Sequence, residues 1–275
     1  MLDSNNHGEN NFIFLGGAGR SGTTLLRVML DAHPHICCGP ELKLLPVIAE
    51  WYQTMTGLLA AVMHSYGNST ADLQHHFRRF IAGLVENFLR ASGKSRWAEK
   101  TPHNVLFMVL LAEIFPNARF LHVVRDGRDV ACSLVRMDWG DPITKRKVAY
   151  VENIANAARY WRDVVTEVRR QARSPVLAGR VLEVRYEDLV LHTEATLRRI
   201  LQFLDEPWDA SILSYYTRDR SWEPAEASTA QAQQPVTARS IGRWRNDMSL
   251  ADRASFQMQA GKLLRQLGYA AGDVW

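Results

Sequence analysis

The chain has 275 residues, 47% of them hydrophobic and 23% charged, the balance of an ordinary globular protein with enough apolar material for a substantial core. A net charge of +4 with no dense basic tract suits an anionic small ligand or an acidic peptide and argues against nucleic acid. No apolar run approaches the roughly 20 residues of a membrane span, and three cysteines make no disulfide framework.

Residues 1–11 read as a polar N-terminal tail without the basic-then-apolar plan of a signal peptide, and residues 12–275 as a single α/β domain. A cytoplasmic location with no membrane partner is the expectation. The apolar run Phe12–Gly16 reads as a buried strand, Gly17 and Gly19 as a tight turn, and Thr23 onward as a helix with Leu25, Leu26, Met29 and Leu30 on one side. A strand, a glycine-rich turn and a helix start aim backbone N–H groups at one point, which suits a phosphate. Gly17 and Gly22 have the separation of a nucleoside-triphosphatase P-loop, but Thr23 stands where its lysine belongs and Arg20 lies inside the loop. The spacing therefore supports a phosphate cradle without metal-assisted γ-phosphate chemistry; the run is no serine hydrolase signature, since Gly-x-Ser-x-Gly is absent around Ser21.

Further along, His33, His35, Cys37 and Cys38 cluster possible metal ligands but lack the paired spacing of a zinc site, so no metal is expected. Taken alone, Glu41 reads as a loop carboxylate pairing with Lys43 or an arginine. Two apolar stripes at helical spacing follow. One comprises Leu73, Phe77, Phe80, Ile81, Leu84, Val85 and Phe88; the other comprises Val151, Ile154, Ala158, Trp161, Val165 and Val168. Further strands are expected at 96–100, 119–124 and 180–185. Strands alternating with helices imply a mostly parallel sheet flanked by helices, with the ligand beyond the carboxyl ends of the strands. Two of these strands run into Lys100 and Arg125. A helix from about Asp126 brings Ser133 two turns on, and arginine with a serine hydroxyl makes a good phosphate receptor. The bland alternative is a surface ion-pair cluster of Arg125, Asp126, Arg128 and Asp129. The loose stretch 225–239 reads either as an inert loop or as a segment folding over a ligand.

Taken together, Arg20-Ser21-Gly22-Thr23-Thr24 and Arg125 with Ser133 resemble the sulfotransferases that use 3′-phosphoadenosine 5′-phosphosulfate (PAPS) and release PAP, a P-loop-like three-layer fold. The resemblance implies that the first element binds the 5′-phosphosulfate and the second the 3′-phosphate. The run from Arg20 through Glu41, Lys43 and Pro46 is closer to the tyrosylprotein branch. That likeness implies Glu41 as general base and Lys43 in the acceptor-peptide groove. It further implies that Lys100 and Arg20 stabilise the leaving group, that Tyr186, Ser240 and Arg243 border the nucleotide, and that the acceptor is a peptide or protein tyrosine. A carbohydrate or small-molecule acceptor, a non-catalytic nucleotide-binding scaffold and a diverged kinase-like P-loop protein are the other readings.

One near-match to another branch and two departures from this one stand beside the resemblance. His103 lies one residue beyond the position of the histidine base in enzymes acting on small phenols. Gly242 replaces a serine two residues before Trp244, leaving Ser240 nearby. Ala98 replaces the cysteine that animal tyrosylprotein enzymes join to the one matching Cys38, which agrees with a reducing compartment and no membrane anchor.

Overall fold

The computed structural model describes residues 12–140, 146–224, 228–272 and 275; the expected 1–11 tail lies outside them. Among the described residues, five parallel strands form one sheet in the order β2-β3-β1-β4-β5: β1 Ile13–Gly16, β2 Ile36–Cys38, β3 Arg96–Lys100, β4 Arg119–Val124 and β5 Val181–Arg185. Among the described residues, twelve α-helices connect and cover them. Between β1 and β3 lie α1 Thr23–Ala32, α2 Leu45–Thr56, α3 Ala60–Ser65 and α4 Thr70–Ser92. Then come α5 Met108–Ile114, α6 Gly127–Leu134, α7 Ile154–Gln171, α8 Tyr186–Leu191 and α9 Thr193–Leu204. The chain closes with α10 Thr229–Ala232, α11 Trp244–Asp247 and α12 Leu250–Gln266.

Strand alternation divides the core into two. Phe14, Cys37, Trp97 and Phe120 point to one face, against α2, α4, α5, α7 and α12. Ile13, Leu15, Cys38, Ala98, Leu121 and Val184 point to the other, against α1, α8 and α9. Both faces are thus apolar, as a parallel sheet covered on both sides requires. Register places Leu15 beside Lys100 and Gly16 beside His122, so the ends of the central strands rise to one level.

Local chemistry sets the helix ends. Ser69 and Asp72 form a capping box at α4, which Gly93 ends with a φ of 65°. Asn153 caps α7, and Ser249 with Asp252 boxes α12. The expected strands 96–100 and 119–124 are found as expected, and the other two differ by one residue at their starts.

Three features differ from expectation. β2 has three residues, too few to show periodicity. In α4 the buried stripe is Leu73, Phe77, Ile81 and Val85, whereas Phe80 and Leu84 are about half exposed, because a seven-residue stripe is wider than the face that meets the sheet. Val151 is buried but lies in a short 3-10 turn ahead of α7. Among the described residues no helix is long and apolar enough to cross a membrane. Cys37, Cys38 and Cys132 are buried free thiols.

Candidate active site

The loop after β1 is shaped by close approach. Gly17 N–H donates to the Pro102 carbonyl at 2.9 Å, and a Cβ on Gly17 would meet the Val123 carbonyl oxygen at 2.3 Å. Gly22 has φ +94°, and a Cβ there would lie 2.3 Å from the Tyr186 ring. Arg20 itself adopts φ 71°, a left-handed conformation costly for a non-glycine residue. α1 begins directly after this loop with no side-chain cap, which leaves its first N–H groups for an anion. Ser21 is fully buried, and its Oγ has no protein partner. A cradle of this shape with an orphaned hydroxyl fits a phosphate or sulfate oxygen.

Two guanidiniums close the cradle. Arg20 donates from Nε to Ser133 Oγ at 3.0 Å and from a terminal nitrogen to Ser228 Oγ at 2.6 Å. Burial first, and then the positive charges of Arg125 and Arg243, push the Arg20 pKa below its usual value. Arg125 extends from the end of β4, whose carbonyl is fixed by the indole N–H of the buried Trp161 at 3.1 Å. Its guanidinium donates to the Arg20 carbonyl at 3.2 Å and to the Ser240 carbonyl, and it lies 4.5 Å over the Tyr186 ring, while Nε is buried without a partner.

The proposed ion-pair cluster of this segment therefore divides, and it is buried rather than on the surface. Arg128 pairs with Asp126 at 2.8 Å and stacks on Trp244 at 3.9 Å. Arg125 turns to the site instead, with Asp129 3.9 Å away.

Asp129 serves another purpose. Its two oxygens accept from Gly242 N–H at 2.7 Å and Trp244 N–H at 3.0 Å, which pins the far end of the 228–243 segment. Burial raises the Asp129 pKa, with Arg125 and these N–H groups opposing. The expected site residues Tyr186 and Ser240 bond to each other at 2.7 Å. Arg243 donates from Nε to Asp247 at 2.6 Å.

Together these groups enclose a cavity of about 510 Å³, a volume suited to a mononucleotide-sized ligand. Arg20, Gly22, Thr23, Thr24, Arg125, Ser133, Tyr186, Ser240 and Arg243 all line it; buried Ser21 does not. The loose stretch contributes Ser228, Gln231, Gln234 and Thr237 to the same wall, so its described part, from residue 228, borders the cavity rather than lying apart as an inert loop, and residues 225–227 lie outside the described residues.

Beside this cavity, Lys100 is completely buried and donates from Nζ to Glu41 Oε1, with Thr24 Oγ1 3.4 Å away. Glu41 Oε2 lies 3.9 Å from Lys43 Nζ, whose side chain is 74% exposed. Neither Glu41 nor Lys100 lines the 510 Å³ space, but Thr24 belongs to both groups. Burial lowers the His103 pKa, with Glu41 opposing, so the ring is neutral at pH 7. His103 Nε2 lies 3.4 Å from the Tyr160 hydroxyl, which accepts the Gly19 N–H at 3.0 Å. Tyr160 belongs to no motif, and no local pattern in the sequence marks it.

The possible metal cluster is otherwise engaged. His33 Nδ1 accepts from His35 N–H at 3.2 Å and Nε2 donates to the Pro207 carbonyl at 2.9 Å, which uses both ring nitrogens. His35 is 2.9 Å from Glu206, itself paired with Arg96 at 3.1 Å. Cys37 and Cys38 point to opposite sides of the sheet. Ala98 is the register partner of Cys38 across β2 and β3 and shares its face, so a cysteine there would be its cross-strand neighbour.

Comparison with known proteins gives this geometry a family. The sulfotransferase family model matches residues 12–210. "Protein-tyrosine sulfotransferase A" of Caenorhabditis elegans is 32% identical over 269 residues, covering 94% of this chain and 67% of that protein. "Protein-tyrosine sulfotransferase 1" of Danio rerio is 30% identical over 268 residues, covering 94% and 72%. Among solved structures, the sulfotransferase domain from the Synechococcus PCC 7002 olefin synthase aligns with a TM-score of 0.65 at 25% identity, covering 95% of each chain. The chain belongs to the sulfotransferase family. It is a PAPS-dependent sulfotransferase, and the cradle, the orphaned Ser21 hydroxyl and the unpartnered Arg125 Nε fit that nucleotide.

Proposed function

We propose that this chain moves the sulfuryl group of PAPS to the phenol of a protein or peptide tyrosine, with residues 12–275 acting as one domain. The observation that carries the reading is Glu41, held against the buried Lys100, whose Nζ lies 3.4 Å from the hydroxyl of Thr24 in the wall of the nucleotide-sized cavity. The names of the Caenorhabditis elegans and Danio rerio relatives support the acceptor class.

PAPS supplies an activated sulfuryl group and a 5′-phosphate able to carry the charge left behind. Ser21, Gly22, Thr23 and Thr24 would hold the phosphosulfate, Arg125 and Ser133 the 3′-phosphate, and Tyr186, Ser240 and Arg243 the nucleotide wall. Lys100 and Arg20 would place positive charge where the bridging oxygen becomes negative.

Glu41 would accept the phenol proton. A phenol pKa of ~10 against ~4.3 for a carboxylate makes prior proton transfer uphill by about 8 kcal/mol. The base is therefore effective only as the new S–O bond forms, which requires Glu41 to be positioned before the acceptor arrives. Lys43, exposed beside it, would meet an acidic acceptor peptide.

The three buried free thiols suit a reducing, cytoplasmic setting, which belongs to the same proposal. Labelled PAPS offered with acidic-flanked tyrosine peptides, simple phenols and sugars tests the function. Transfer to the peptides is expected. Transfer to sugars or phenols alone would replace the acceptor, and nucleotide binding without transfer to any of them would establish a scaffold.

A further inference from the structure

The strand end that presents Lys100 also holds the loop that carries Glu41. Glu99, one residue before the lysine, is almost completely buried, and its Oε1 accepts the backbone N–H of Leu42 at 3.0 Å. The same oxygen accepts from the Thr101 hydroxyl at 2.7 Å. Thr101 Oγ1 in turn accepts the backbone N–H of Lys43 at 3.1 Å. Asn104, buried behind them, donates to Glu99 Oε2, and its own N–H bonds the Thr101 carbonyl at 3.0 Å. Every donor and acceptor in the chain from Lys43 through Thr101 to Glu99 is used consistently.

The loop needs such a hold. Lys43 adopts φ 58°, a left-handed conformation that a lysine takes only when its surroundings impose it. The backbone just past Glu41 is therefore strained, and two hydrogen bonds from β3 secure it. A buried carboxylate accepting a backbone N–H is among the stronger such contacts.

We propose that Glu99 and Thr101 are positioning residues for the sulfuryl-transfer reaction: they clamp the Leu42 and Lys43 amides so that the Glu41 carboxylate stands against Lys100. The inference rests on Glu41 being the general base. Alternate residues of one strand end, Glu99 and Thr101, set the base, while Lys100 between them supplies the cation. Base and cation are thereby held in register by three consecutive residues rather than by independent loops.

The test compares Thr101→Val, Thr101→Ser and Glu99→Ala with the unaltered protein, using one peptide containing either tyrosine or a ring-fluorinated tyrosine of lower phenol pKa. Thr101→Val removes the hydroxyl and should lower kcat on the tyrosine peptide at least about tenfold, leaving PAP affinity and melting temperature near normal. The loss should shrink to less than about threefold on the fluorinated peptide, whose phenol depends less on a base. Thr101→Ser should restore most of the rate. Glu99→Ala should reproduce the acceptor dependence if it folds, and Thr101→Val carries the test if it does not. Equal losses on both peptides, or unchanged kcat in Thr101→Val, would overturn the clamp. Failure of the unaltered protein to sulfate either peptide, or full activity in Glu41→Ala, would instead overturn the reading on which it rests.

Discussion

As the proposed base, Glu41 should separate chemistry from binding. Glu41→Ala should reduce peptide turnover by about 10²-fold or more while PAP affinity, measured by calorimetry, stays near normal. Arg125→Ala should do the opposite, weakening PAP by about tenfold or more, because it removes a guanidinium whose Nε is still unpartnered; equal PAP affinity would take Arg125 out of the phosphate site. The glycine loop and the Arg125–Ser133 pair are legible in the sequence because covalent spacing fixes their geometry, eight residues apart on one strand-to-helix turn for the pair, whereas the expectation for Glu41 rests on the resemblance of the run around it. Glu99, Thr101 and Tyr160 are not legible in this way. Their partners lie 57, 58 and 141 residues away, and no local pattern announces a contact made by the fold. The expected pairing of Glu41 with Lys43 is loose, at 3.9 Å, and its close bond is to Lys100, a partner 59 residues away that no local pattern announces.

The segment after Ser228 behaves as a strap whose ends are tied. Arg20 reaches Ser228 at one end, and Asp129 holds the Gly242 and Trp244 amides at the other. Just before the strap, Glu223 is bonded to the buried Arg27 of α1 at 2.6 Å. Asp129→Ala should therefore free the strap without touching the reacting groups. Hydrogen bonds to a charged group are worth about 1.5–3 kcal/mol each, so PAP should bind roughly 10- to 100-fold more weakly while kcat at saturating donor falls less than about threefold. A fall in kcat with unchanged affinity would contradict the strap's part in holding the nucleotide. The composition of 225–239 left open an inert loop or a segment folding over a ligand, since the order of this element comes from anchors in the loop after β1 and in α6. Gly242 fits the same account. Its φ of 72° and its amide bond to Asp129 make it a tether, and the nearby serine hydroxyl, that of Ser240, is engaged with Tyr186. A serine at 242 would have to adopt the left-handed conformation.

Across the whole molecule, the two ends of the sheet do different work. All the groups assigned to chemistry lie at or beyond the carboxyl ends of the strands, while the arginines at the opposite end serve the fold. Arg96 and Arg119 donate to the Leu204 and Phe203 carbonyls at the end of α9 and pair with Glu206 and Asp205, and Arg180 bonds the Phe115 carbonyl at 2.7 Å. Acid sensitivity should come from this structural charge, and Glu183 on edge strand β5 is its clearest case. Burial alone would raise the Glu183 pKa. Hydrogen bonds and charge from His122 on β4 and Arg169 on α7 outweigh it and hold the carboxyl at about 2. Arg169 makes a two-point fork to it at 2.9 and 2.6 Å, joining helix layer to sheet.

A folded pKa below the unfolded value of ~4.3 means that the ionised carboxylate stabilises the fold above that value. The stabilisation is lost as pH falls from there towards about 2. In urea unfolding at about pH 5, Glu183→Gln should be less stable than the unaltered protein. The margin should close as the pH falls through the window from about 4.5 to 2. A margin that persisted unchanged at the acid end of that window would show that the fork between β5 and α7 stabilises through packing rather than through its charge.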